Sequence, residues 1–145
     1  MLYNIFYYRR GLSFPWINYS TNELKITQFR FENLKIWRMA IQTSMKLFDI
    51  ADKLDKQKLF KFAEQLRAAG LSLTNNIAEG SGSFTNQDFS NFLKFSRRSV
   101  FECANMVYIF SLRKILSEKE KKELWDDLEI LSKSIVNLKK TLLNF

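Results

Sequence analysis

The stretch SEKEKKELWDDLEILSKSIVNLKKTLLNF, residues 117–145, decides the fold class. Leu124, Leu128, Leu131, Ile135, Leu138 and Leu142 recur at steps of 4, 3, 4, 3 and 4, which keeps all six on one narrow seam of an α-helix. Ser117 opens the run and Glu120 follows three residues later. In that arrangement a hydroxyl caps a helix N-terminus and the acid reciprocates. Trp125, Ile130 and Val136 flank the seam. A stripe this narrow is stable only when it is buried against other helices.

Working back along the chain, Thr85 and Asp88 form a second Ser/Thr-x-x-acid start, with Phe84 and Phe89 placed to make a hydrophobic staple. Phe89, Phe92, Leu93, Ser96, Val100, Cys103, Ala104, Val107, Phe110 and Ser111 then fall on one broad arc at helical spacing. Phe95, Phe101, Met106, Tyr108, Ile109 and Leu112 lie outside it. This helix therefore ends apolar nearly all round and needs more cover than a lone bundle gives. A second subunit meeting Phe95, Tyr108, Ile109 and Leu112 is the preferred cover, and the N-terminal arm is the other.

Residues 57–79 read as a helix whose inward band is Leu59, Phe62, Ala63, Leu66, Ala69, Gly70, Leu73 and Ile77. Ala63, Ala69 and Gly70 are small enough for a neighbouring helix to come close, which offsets the helix propensity lost at Gly70. Gly80, followed by Ser81–Gly82–Ser83, then marks its end through glycine's access to the left-handed region. The first helix is expected from Phe29 to about Lys53, with Leu34, Trp37, Ile41, Met45, Phe48 and Ala51 as its buried stripe and Leu54–Asp55–Lys56 as the connection. Residues 1–28 have no sustained period and are broken by Gly11 and Pro15. The expected architecture is all-α: an antiparallel up-down-up-down four-helix bundle over residues 29–145, behind an irregular aromatic arm over residues 1–28.

Composition agrees with that reading. Pro15 is the single proline and there are four glycines in 145 residues, too few turn residues for a small all-β fold. The chain has no histidine, which removes the usual neutral-pH base and every His metal ligand. Cys103 is the single cysteine, so neither an intrachain disulfide nor a four-cysteine zinc site can form. There is no GxxxxGK[ST] phosphate loop. No enzyme activity, cofactor or metal is expected. The opening residues do not read as a signal peptide, and no apolar run is long enough for a membrane span. The expected location is the cytoplasm.

The net charge of +8 is spread along the chain rather than gathered in a tail. It could attract a polyanion without specifying one. The candidate phosphate contacts are Lys94, Arg97 and Arg98 on the third helix, extended by Lys56, Lys58 and Lys61 near the start of the second. Glu79 and Glu102 are a tempting carboxylate pair. Their expected role is structural, in a polar network with Asn76 and with Arg67, Arg97 or Arg98 as the basic partner, because an enclosed acid needs compensation. Cys103 lies on the apolar arc and is read as a core residue.

Gln65–Leu66–Arg67–Ala68–Ala69–Gly70–Leu71–Ser72, followed by Asn76–Ile77–Ala78–Glu79–Gly80, resembles the family of proteins encoded in intervening sequences of bacterial 23S ribosomal RNA genes. Phe31–x–x–Leu34–x–x–Trp37, Phe92–Leu93, Ser99 and Glu102 extend the resemblance over about residues 29–142. Ala68 stands where the family pattern carries a second arginine, and a basic residue common after the glycine-rich turn is replaced near Ser83. The resemblance implies an up-and-down bundle that assembles as a ring, a pentamer. It also implies kinship with accessory proteins of diversity-generating retroelements, which associate with reverse transcriptase and nucleic acid. The first functional expectation is thus a noncatalytic homo-oligomeric assembly or adaptor protein with a protein partner. The alternative is an accessory protein contacting RNA or DNA phosphates through an oligomeric basic surface.

Overall fold

A computed structural model describes residues 29–144; the N-terminal arm expected over residues 1–28 lies outside them. A short 3-10 turn, Arg30–Asn33, leads into α1 (Lys35–Lys56), α2 (Phe60–Ser81), α3 (Asn86–Leu112) and α4 (Glu118–Leu143). The four helices pack as an all-α bundle, each against the next, and α1 meets α4 more sparsely. No strand occurs among the described residues.

Three of the four buried faces follow the periodicity. Leu124, Leu128, Leu131 and Ile135 of α4 are buried, as are Ala63, Leu66, Ala69, Leu73 and Ile77 of α2 and Phe89, Leu93, Val100, Cys103, Val107 and Phe110 of α3. Phe62, expected in the α2 band, is 38% exposed, and Met106, expected outside the α3 arc, is buried.

α1 is turned away from its expected face. Its core residues are Ile36, Ala40, Leu47, Ile50, Ala51 and Leu54, with Thr43 and Ser44. Trp37, Ile41 and Phe48 are only half-buried and Met45 is exposed. The helix carries two apolar stripes, and bulk picks out the wrong one. The face with small and hydroxylated residues wins because α2 comes close there. Ser44 Oγ donates to the Gly70 carbonyl at 2.7 Å, and a Cβ on Gly70 would stand 3.0 Å from Phe48 Cε1. The close approach expected of Gly70 is therefore present.

Helix ends are set by means that glycine and proline do not announce. α1 continues through Leu54–Lys56, and Lys58 turns the chain at φ 60°. The Leu59 amide then donates back to the Leu54 carbonyl at 2.9 Å. α3 stops the same way, with Lys114 at φ 58° and the Ile115 amide on the Phe110 carbonyl at 2.9 Å. These bonds span five residues around a left-handed position that glycine usually fills. The expected first helical turn from Phe29 is the 3-10 segment, and Arg30 reaches from it to the Ser81 carbonyl at 3.2 Å.

At the other turns the caps hold but the staple does not. Ser117 and Glu120 form the reciprocal box. Thr85 accepts from the Asp88 amide at 3.0 Å, yet Phe84 is fully exposed while Phe89 is buried. Phe89 instead packs over Gly80, which lies inside α2 rather than ending it. A Cβ there would meet Phe89 Cδ2 at 2.6 Å and Phe92 Cβ at 2.7 Å. Gly80 is thus required for space, not for a left-handed turn.

The sparse α1–α4 seam is bridged by charge. Lys46 pairs with Asp127 at 2.6 Å, and Lys53 pairs with Glu120. The Lys53 ammonium first, and then the Ser117 amide and hydroxyl, hold the Glu120 carboxyl down to about 2.

Two outcomes follow from this packing. Gly80→Ala lowers unfolding stability by about 1–3 kcal/mol, because α3 must move to admit the methyl group; urea denaturation measures it. A carboxyl depressed on folding stabilises above its unfolded pKa and ceases to do so as pH falls towards the folded value. Wild-type protein therefore loses more stability than Glu120→Gln between about pH 4.5 and pH 2, read by thermal melts across that range.

Candidate functional site

α3 folds back on α4 through the Arg113–Ser117 turn, so the N-terminal half of α3 lies beside the C-terminal half of α4. Between them runs a groove of about 770 Å³. Its apolar surface comes from Phe101 on one side and Val136 and Leu143 on the other, over a base closed by the buried Leu93 and Ile135. Lys94, Arg97 and Arg98 edge it from α3, and Lys139 and Lys140 edge it from α4. No acidic side chain lines it among the described residues.

Each cation has a physical reason to be where it is. Lys139 and Lys140 occupy the last turns of α4, where the helix presents unpaired carbonyls and the negative end of its dipole. Arg97 lies over the Phe101 ring, 4.8 Å from its centroid. That contact covers one ring face and holds the guanidinium along the wall. Lys94 Nζ donates to Asn91 Oδ1 at 3.0 Å. These five residues make no ion pair among the described residues, in contrast to Lys133, which pairs with Glu129 at 2.5 Å one turn before the groove.

Only half of the expected phosphate set comes together. Lys94, Arg97 and Arg98 share the groove, whereas Lys56, Lys58 and Lys61 stand at the α1–α2 turn, at the far end of the bundle. From Arg98 to the end of α3 at Leu112 is about 20 Å by helical rise. Lys61 there is engaged with Glu64 at 3.5 Å. Lys139 and Lys140 were missed from the sequence. The signal was available: residues 130–145 carry three lysines and no acid, and an antiparallel α3–α4 pair brings them opposite Lys94–Arg98.

The expected polar network is divided into separate pieces. Arg67 reaches Asp52 at 2.5 Å and Asp55 at 2.6 Å, tying α2 to α1. Asp55 first and Asp52 next raise the guanidinium pKa further. Glu79 and Glu102 are both exposed, and Arg67 pairs with Asp52 and Asp55 of α1 instead of with either of them. They also lie in different clefts, Glu79 with Gly82 and Asn91, Glu102 with Ser72, Asn76, Arg98 and Ser99. Asn76 donates to the Ser72 carbonyl within α2 at 2.8 Å, and Ser99 Oγ donates to Ser72 Oγ at 2.8 Å, a hydroxyl contact that ties α3 to α2 without charge. Cys103 is enclosed, and burial pushes its thiol up to about 12.

All four expected interface residues are exposed in the single subunit: Phe95 by 50%, Tyr108 by 47%, Ile109 by 40% and Leu112 by 68%. They do not make one patch. Tyr108, Ile109 and Leu112 share the end of α3, where Tyr108 packs near Trp125 of α4, itself 41% exposed. Phe95 sits toward the other end, on the flank facing Ser72 and Asn76 of α2.

Among the described residues no helix is long and apolar enough to cross a membrane. No curated protein matches the chain. The profile of the 23S rRNA-intervening sequence protein family matches residues 32–137, from just before α1 to well inside α4. That span takes in the α2 motif ending at Gly80, where a side chain would collide with Phe89 and Phe92. The chain therefore belongs to the 23S rRNA-intervening sequence protein family.

Proposed function

We propose that this chain is a noncatalytic, homo-oligomeric assembly or adaptor protein of the cytoplasm. One observation carries the reading: Tyr108, Ile109, Leu112 and Trp125 stay between 40% and 68% exposed, side by side, at one end of the bundle. Large apolar side chains gathered on a surface are favourably removed from water, and a matching subunit is the simplest cover. A five-membered ring is the assembly that the family resemblance implies. Phe95 lies on another flank and would meet a subunit only if the interface ran the length of α3.

The alternative, contact with RNA or DNA phosphates, draws on Lys94, Arg97, Arg98, Lys139 and Lys140. One subunit lays no continuous basic track, because Lys56, Lys58 and Lys61 stand at its opposite end. This reading therefore requires assembly to bring several grooves onto one strand, and steep weakening with salt would identify it.

Sedimentation equilibrium over a wide concentration range tests the first reading. The wild-type chain holds a constant multiple of the 17.3 kDa subunit mass. Ile109→Lys/Leu112→Lys falls to the monomer with its helical circular dichroism intact, since both residues are on the surface of the subunit. A monomeric wild-type chain, or an oligomer indifferent to the double substitution, overturns the proposal.

A further inference from the structure

We infer that the α3–α4 groove is a docking site for an acidic amphipathic helix of a different protein. The groove is an apolar trough with cations on both banks and no acid among the described residues that line it. A helix laid in such a trough buries its own apolar stripe against Phe101, Val136 and Leu143, while acids on either side of that stripe meet Lys94, Arg98, Lys139 and Lys140. The α3 bank from Leu93 to Phe101 measures about 12 Å by helical rise, enough for about two turns of a bound helix.

The chemistry favours this occupant over the others. A nucleic acid would use the cations but leave Val136 and Leu143 wet, and Phe101 already has Arg97 over one ring face, which hinders base stacking. A second copy of this chain offers acids on the first half of α4, but Glu123, Asp126 and Glu129 are each paired with a lysine one turn away. The groove cations have no such acidic partners among the described residues, so an incoming carboxylate has no ion pair to break. The site lies toward the opposite end of α3 from Tyr108 and Leu112, so self-association there leaves it open. The inference does not rest on that self-association.

The test uses the full chain, a fluorescein-labelled synthetic helix with leucines at i, i+3 and i+7 between glutamates, a scrambled peptide of equal charge, and a labelled single-stranded RNA of similar length. Fluorescence anisotropy shows the amphipathic peptide binding more tightly than the scramble and the RNA. Lys139→Glu/Lys140→Glu weakens it by about tenfold or more. Val136→Asp weakens it as well, which loss of rim charge alone would not explain. Circular dichroism and solution mass, unchanged in these surface variants, separate loss of docking from loss of fold or assembly. Equal binding of scramble and ordered peptide, tighter binding of the RNA through the same lysines, or peptide binding unmoved by either variant overturns the proposal.

Discussion

The close passage of α2 between its two neighbours governs the rest of the bundle. On one side Gly70 lets Leu47 and Phe48 of α1 come within contact distance, and Ser44 donates to the Gly70 carbonyl. On the other side Gly80 makes room for Phe89 and Phe92, while Ser96 donates to the Leu73 carbonyl at 2.9 Å. Serines are used at these crossings because a hydroxyl takes little space and can be satisfied by the carbonyl of the facing helix. Such packing fixes the rotation of each helix about its axis and so determines which residues are left outside.

The exterior follows from that rotation. Once α1 turns Ala40, Ser44 and Leu47 toward α2, Trp37, Ile41 and Met45 must line the thin seam with α4. Apolar contact is limited there, and Lys46–Asp127 and Lys53–Glu120 span the gap. Exposed pairs of this type contribute little individually, so α1 owes its position chiefly to α2. In the same way, α3 commits Leu93, Val100 and Val107 to the core and leaves Lys94, Arg98 and Phe101 along its border with α4. The basic groove is a by-product of how α3 is oriented, and its chemistry comes from the residues that orientation sets at the border.

Much of the fold was legible because α2, α3 and α4 each have one dominant stripe. α1 was not, because its competing stripe contains the larger side chains, and only the small residues of α2 decide between them. The ends of α1 and α3 were obscured by Lys58 and Lys114 adopting a glycine-like conformation. The candidate site was half legible. Lys94, Arg97 and Arg98 form a local cluster, but Lys139 and Lys140 join it only through the antiparallel pairing of two helices. The network drawn from Arg67 to Glu79 and Glu102 failed for a simpler reason: Asp52 and Asp55 are nearer, and carboxylates at the surface need no partner.

Cys103 has a use that its burial creates. With no exposed surface, and with its proton held to about 12, the thiol is neither reachable nor nucleophilic while the helices are closed. Alkylation at neutral pH must await an opening of the bundle, so the native chain carries its own chemical clock for that event. Because the chain has a single cysteine, each modified molecule records one opening around the middle of α3.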